Sequence, residues 1–304
     1  MMQLPNFFII GAPKCGTSSL AAWLSGHPQI YMSPIKEPFY FSEDIQNRVI
    51  TEWAIYLRLF SRASKQHLRI GEASATYLFS KVAVPAIEHT IHTGQYIVMV
   101  RNPVDMAYSL HEQQVRSFNE NIDDFYQAWC LAPKRREGKQ VPPGCKDPIL
   151  LDYPSWCRLS EQLERLYTIV PKERVLVLLL DDMKKNPRRE YLRVINFLGV
   201  PDDGRKEFPV HNPAREWRSR RMGKAIYSLA RIVALFKHAE GLLPKRSLGI
   251  IQRLQGINTR QRPRPPLAPE VRAELETYFA KDIIYLERLL GRDLADWRYR
   301  HQRV

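Results

Sequence analysis

Lys14, set between Gly11 and Gly16 in the stretch GAPKCGTS, is the side chain whose neighbours first point to chemistry. The stretch follows the apolar run Phe7-Phe8-Ile9-Ile10 and leads into SLAAWL, an order of strand, loop and helix. In that order, backbone N–H groups and the positive end of a helix dipole converge on one point, where an anion binds. Thr17, Ser18 and Ser19 add hydroxyl donors at the helix start. The two glycines are spaced as in a Walker A loop, G-x-x-x-x-G-K-[ST], but Thr17 stands where that loop has its lysine. A tight turn with a Ser/Thr cap would use the same glycines and hydroxyls. A lysine inside the loop favours the anion.

Two further stretches carry chemistry. In VMVRNPVDMAYS (98–109), Arg101 ends a strand, Pro103 opens a helix and Ser109 lies two turns on. An arginine at a strand's end can fork onto a phosphate, or pair on the surface with Asp105. In SPIKEPFYF (33–41), Pro38 is expected to hold Glu37 extended. A wall of Phe39, Tyr40 and Phe41 would raise its titration toward the range of a general base. The plainer alternative is a solvated Lys36–Glu37 pair. His111 in YSLHEQQ and Glu72 in GEASATY are the competing candidates for the base. A lone helical histidine is more often structural.

These stretches resemble the motifs of the PAPS-dependent sulfotransferases. Pro13-Lys14-Cys15-Gly16-Thr17-Ser18 fits the family's P-K-x-G-T-[ST] loop position by position, and Arg101 and Ser109 fit its R-[DN]-P-x-x-x-x-x-S motif. KEPFYF resembles the K-E-P-[HF]-x-F segment that holds the catalytic glutamate of heparan-type members. The resemblance is closest to bacterial proteins allied to those enzymes. After Glu72 they carry a lysine where this chain has Ala73. In the C-terminal loop NTRQRPRPPLAP, Arg260 and Arg262 fall at the Lys and Arg of a K-G-R loop, with Gln261 in place of the glycine.

The resemblance implies PAPS as sulfuryl donor, PAP as product and no metal. It implies that Lys14 contacts the oxygen bridging phosphorus and sulfur, and that Cys15, Gly16, Thr17, Ser18 and Ser19 cradle the 5′-phosphate. Arg101 and Ser109 would hold the 3′-phosphate, and Arg260, Gln261 and Arg262 would close over the nucleotide. Glu37 would take a proton from a hydroxyl or amine, leaving a saccharide, a small natural product or a lipid headgroup as acceptor.

The elements that must position these residues read as an α/β fold, a P-loop-like core with a mainly parallel sheet flanked by helices. Apolar runs predict strands at 6–11, 68–73, 95–101 and 174–180. Helical spacing predicts helices at 17–26, 51–60, 80–92, 103–117, 123–132, 155–169 and 187–198. Residues 133–150 read as a basic loop, and a last helix runs from the prolines near 269 to about Leu290, stopped by Gly291. One domain over 1–304 is expected, with a helical insertion or lid within 225–257.

Composition narrows the partners. The chain has 304 residues, 44% hydrophobic, and a formal charge of +14, which calls for anionic ligands. Its longest aliphatic run, VLVLLL, is far below the roughly 20 residues of a membrane span. No signal-peptide pattern opens the sequence, so a cytoplasmic setting is expected, with Cys15, Cys130, Cys145 and Cys157 reduced. A Cys130–Cys145 bridge is the exception to consider. VLVLLLDD offers a rival reading, a Mg-ATP kinase or ATPase with Asp181 or Asp182 as metal carboxylate, unless these aspartates cap the short helix at MKK. The arginine runs at 218–224 and 258–266 raise nucleic acid as a remote partner, but no helix-turn-helix, zinc-finger or RRM signature accompanies them, so none is expected.

Overall fold

A computed structural model describes residues 4–211, 215–229, 253–254, 256–261 and 264–298. Five strands form one sheet: β1 (Phe7–Gly11), β2 (Ile30–Met32), β3 (Arg69–Ala73), β4 (Gln95–Val100) and β5 (Val175–Leu179). Their order is β2-β3-β1-β4-β5, and every neighbouring pair is parallel. All five residues of β1 are buried, because helices cover both faces of a central parallel strand. Chain order places β3 on one side of β1 and β4 on the other, so a crevice opens at their carboxyl ends, where such sheets bind ligands.

The flanking helices are α1 (Thr17–Ser25), α2 (Trp53–Arg58), α3 (Ala83–Ile91), α4 (Pro103–Arg116) and α5 (Phe125–Arg136). Four more follow: α6 (Tyr153–Cys157), α7 (Leu159–Ile169), α8 (Leu180–Lys185) and α9 (Pro187–Leu198). The start of α4 is set locally. The Asn102 side chain accepts from the N–H groups of Val104 and Asp105, and Pro103 supplies a first-turn residue with no N–H to satisfy. The C-terminal helix Pro269–Leu290 ends as expected at Gly291, whose φ of 60° suits glycine. Among the described residues no helix is long and apolar enough to cross a membrane.

Three expectations need correction. β2 escaped notice because three residues are too few to show a pattern; pairing with β3 makes it a strand. The helix expected at 155–169 is two, α6 and α7, broken at Arg158, whose ψ is 76°. The loop expected at 133–150 begins later, since α5 runs through Pro133 to Arg136. Proline costs that helix one backbone bond. Its last turn is nevertheless tied down: buried Arg135 forks onto the Glu120 carboxylate, and Arg136 onto Asp152 at 2.7 and 2.8 Å. Cys130 and Cys145 are unbridged, as are Cys15 and Cys157.

A second, antiparallel sheet joins β6 (Arg215–Trp217) to β7 (Thr259–Gln261). Trp217 Nε1 donates to the Arg116 carbonyl at 2.9 Å, so this sheet docks on the end of α4. Most of the expected insertion at 225–257 lies outside the described residues, as does Arg262.

Candidate active site

The loop after β1 turns sharply into α1. Gly16 has φ 95°, and a Cβ there would stand 2.9 Å from Leu180 Cδ1, so both conformation and space call for glycine. Among the described residues no side chain caps the first N–H groups of α1, whose N-cap residue is Gly16. Those donors open, with Lys14, Thr17 and Ser18, on a cavity of about 960 Å³ at the carboxyl ends of β1 and β4. Lys14 itself has φ 65°. Burial, and then the charges of Arg116 and Arg264, lower its pKa to about 8. A cation so crowded by cations is suited to an anionic ligand.

Arg101 reaches the same cavity from the end of β4 and donates to the Lys14 carbonyl at 3.2 Å. Its alternative partner is taken: Asp105 accepts from Arg272 at 2.8 Å. Ser109, two turns into α4, lines the cavity, as does Ser19, whose Oγ also accepts from the His211 N–H at 3.0 Å. The structure thus gathers Lys14, Gly16, Thr17, Ser18, Ser19, Arg101, Ser109 and Glu37 around one space.

Other expected residues lie elsewhere. Cys15 turns inward, 3.8 Å from the Met106 sulfur, and burial pushes its thiol up to about 12; only its backbone belongs to the loop. His111 is buried away from the cavity. Its Nε2 lies 2.9 Å from the Ile122 carbonyl, its ring packs on Phe125 and Tyr153, and burial lowers its pKa. Its contacts are those of a packing residue, and it does not line the cavity. Arg260 is exposed and pairs with Glu216, and Gln261 belongs to β7. Among the described residues of this segment, Arg264 lines the cavity, bonded to Glu112 at 2.5 and 2.7 Å and lying over the Tyr108 ring.

Glu37 departs from expectation in two ways. Pro38 does exclude the right-handed helix, but φ at Glu37 is 61°, in the left-handed region rather than extended. The aromatic wall does not form around it, since Tyr40 stacks on Tyr56 and Phe41 packs edge-on to the same ring. Glu37 is instead 37% exposed and paired with Lys36, both at the cavity. The plain ion pair and the cavity-facing carboxylate are one arrangement. Glu72 is wholly buried behind this loop and does not line the cavity.

The aspartates after β5 do not cap the short helix as expected, and both have other partners. They sit in the first turn of α8 without capping it; Asp182 pairs with Arg292, and Asp181 accepts from Trp297 Nε1 at 3.0 Å. Among the described residues no three His, Cys, Asp or Glu side chains gather in one cluster.

Some lining residues were not anticipated. Glu112, Gln113 and Arg116 follow Ser109 at i+3, i+4 and i+7, a polar stripe on one face of α4 that helical spacing makes legible. Phe208, Val210 and His211 have no such signal. They belong to a strap across α1, where Trp23 Nε1 donates to the Pro209 carbonyl at 2.9 Å and its ring meets Phe208 edge-on.

A lysine-bearing loop leads into the start of α1, and an arginine stands at the end of the adjoining strand, on a parallel α/β sheet flanked by helices. The sulfotransferase-domain family profile matches residues 4–212, and the chain belongs to that family. It is 29% identical over 259 residues to mouse carbohydrate sulfotransferase 15, covering 65% of this chain and 44% of that protein. It is 26% identical over 212 residues to the human bifunctional heparan sulfate N-deacetylase/N-sulfotransferase 2, covering 65% of this chain and 22% of that protein. The match thus spans less than half the length of these curated relatives. The crystal structure of a sulfotransferase from Alicyclobacillus acidocaldarius superimposes with a TM-score of 0.70 at 27% identity, covering 97% of this chain and 99% of that one.

Proposed function

We propose that the protein transfers the sulfuryl group of PAPS to a hydroxyl or amine and releases PAP. The observation that carries this reading is the composition of the cavity: among the described residues, six Lys and Arg side chains against two carboxylates, beside a helix start whose cap residue is Gly16. PAPS is anionic at both its 3′ and 5′ ends. The Lys14 loop suits the 5′ end, and Arg101 with Ser109 suits the 3′-phosphate. Relatives named for carbohydrate and heparan sulfate substrates favour a glycan as acceptor.

Sulfuryl transfer is an in-line displacement with a loose transition state, so positioning and charge stabilisation carry most of the catalysis. Lys14 and the N–H groups of the loop steady negative charge growing on the departing bisphosphate. Glu37 takes the acceptor's proton, exchanging its contact with Lys36 for one with the incoming hydroxyl. Lys36 then remains beside the transfer point as a second cation.

The Mg-ATP reading lacks a lysine after Gly16, and the engagement of Asp181 and Asp182 with Trp297 and Arg292 weakens it further. Titration calorimetry with PAP and with Mg-ATP separates the two. Binding of PAP without Mg²⁺, and PAPS consumption with at least one member of a glycan panel, is the expected result. Uptake of Mg-ATP with no uptake of PAP overturns the proposal.

A further inference from the structure

Behind the Glu37 loop lies a buried carboxyl group that the transfer chemistry does not use. Glu72, in β3 opposite Phe8 of β1, is 0% exposed. Three hydroxyls converge on it. Ser74 Oγ donates to Oε1 at 2.5 Å, Tyr56 of α2 donates to Oε2 at 2.6 Å, and the Tyr77 hydroxyl lies close enough to favour the charged form of the same carboxyl group. The groups facing Glu72 are these hydroxyls and the apolar side of β1; the influences on its titration are burial and then Ser74, Tyr56 and Tyr77.

Two of the hydroxyls reach onward to the loop. Ser74 Oγ accepts from the Phe39 N–H at 3.2 Å, and Tyr77 Oη accepts from the Phe41 N–H at 3.3 Å. A third tie, from the Glu37 N–H to the Ala73 carbonyl at 2.8 Å, joins the loop to the same strand end. Each relay has a fixed sense. The amide spends its proton on the hydroxyl oxygen, which leaves the hydroxyl's own proton for Glu72, as Ser74 shows and as the nearby Tyr77 hydroxyl is placed to do. A carboxylate has acceptor sites for three such donors. A carboxylic acid brings a fourth hydrogen into the same space, and one hydroxyl must turn away.

We propose that Glu72 is a positioning residue: its buried carboxylate anchors the two hydroxyl relays that hold the backbone after Glu37, and protonating it slackens that loop. The inference rests on the reading of Glu37 as the base only for its effect on turnover; the effect on the loop stands by itself. Both relays attach within four residues of Glu37, whose own φ of 61° is a conformation that needs support from its surroundings.

The pH range follows from burial, which raises the Glu72 pKa to about 7. The folded value lies above the ordinary carboxylate value of 4.5, so the buried charge costs stability above neutrality. That cost is relieved as pH falls through about 7 toward 4.5. Loop order moves the other way, because the anion is the form that accepts all three hydroxyls. Acidification therefore strengthens the fold at this site while loosening the loop.

Hydrogen exchange of the peptide spanning 37–42, corrected for intrinsic rates, tests this from pH 8 to pH 6. Wild-type protection is expected to fall on acidification by about tenfold, the scale of one hydrogen bond to a charged group. Glu72→Gln, which brings an N–H₂ donor among the hydroxyls, should start with low protection and show no pH dependence. Its turnover should drop about tenfold on the same scale, with PAP affinity kept and the acid limb of the wild-type turnover profile removed. Should that variant fail to fold, Ser74→Ala and Tyr77→Phe each cut one relay and should each lower protection partway. Wild-type protection in all these variants, or an unchanged pH dependence in Glu72→Gln, overturns the proposal. Altered protection alongside normal turnover in Glu37→Gln would leave the anchor in place and remove Glu37 as base.

Discussion

The loop around Lys14 and the loop around Glu37 face one cavity, yet different contacts hold them. The first is a short turn whose two ends are its own strand and its own helix, with Gly16 fitted against Leu180. The second has no regular element of its own around Glu37. It hangs from the end of β3, through Ala73, Ser74 and Tyr77, more than thirty residues along the chain. A cradle that must present fixed donors to an anion gains from local rigidity. On the reading of Glu37 proposed above, a carboxylate that gives up one partner and meets another gains from a suspended backbone and a partly exposed side chain.

If that contrast is right, the largest effect comes from the rigid loop. Lys14→Ala should cut kcat by roughly a thousandfold, the upper range for losing one transition-state donor, and weaken PAP binding as well. It should also raise the Tm of the ligand-free protein, because the buried, crowded ammonium that it removes opposes folding. A thermal scan with and without PAP checks both signs.

Glu37→Gln should act on turnover alone, by roughly a hundredfold, the scale of a lost acid–base group. Calorimetry should find its PAP affinity within the wild-type range. A loss of affinity equal to the loss of turnover would show that the two loops are not separable.

A smaller, graded effect comes from pH. Free Lys14 titrates at about 8, and a bound anion raises that value, so PAP binding takes up a proton above pH 8. Affinity should fall as pH rises through 8, by up to about tenfold per unit. Calorimetry in buffers of different ionisation enthalpy detects the proton directly, and Lys14→Ala should abolish it. The smallest change in turnover is expected at His111. His111→Phe leaves the Ile122 carbonyl without its partner and should cost about 1–3 kcal/mol of stability, with kcat within about twofold of wild type.

The same contrast explains what was legible. Gly11, Lys14, Gly16 and Thr17 are neighbours in sequence and in space, so their spacing already describes an anion loop. Asn102-Pro103 and the stripe from Ser109 to Arg116 follow from helix geometry alone. The aromatic residues after Glu37 misled because composition cannot say which way a ring turns. Tyr40 and Phe41 pack on Tyr56, a partner supplied by α2. Arg260 and Arg264 look alike in sequence, but Glu216 holds the first outside and Glu112 draws the second in.

The sequence by itself determined the strand–loop–helix units and the glycine-bounded turn that holds Lys14, because each depends on contacts within a few residues. Tertiary structure alone decided that His111 and Glu72 are buried away from the cavity and that Arg264 lines it. Those outcomes depend on which distant group desolvates or pairs with a side chain, and a pattern along one chain does not record that.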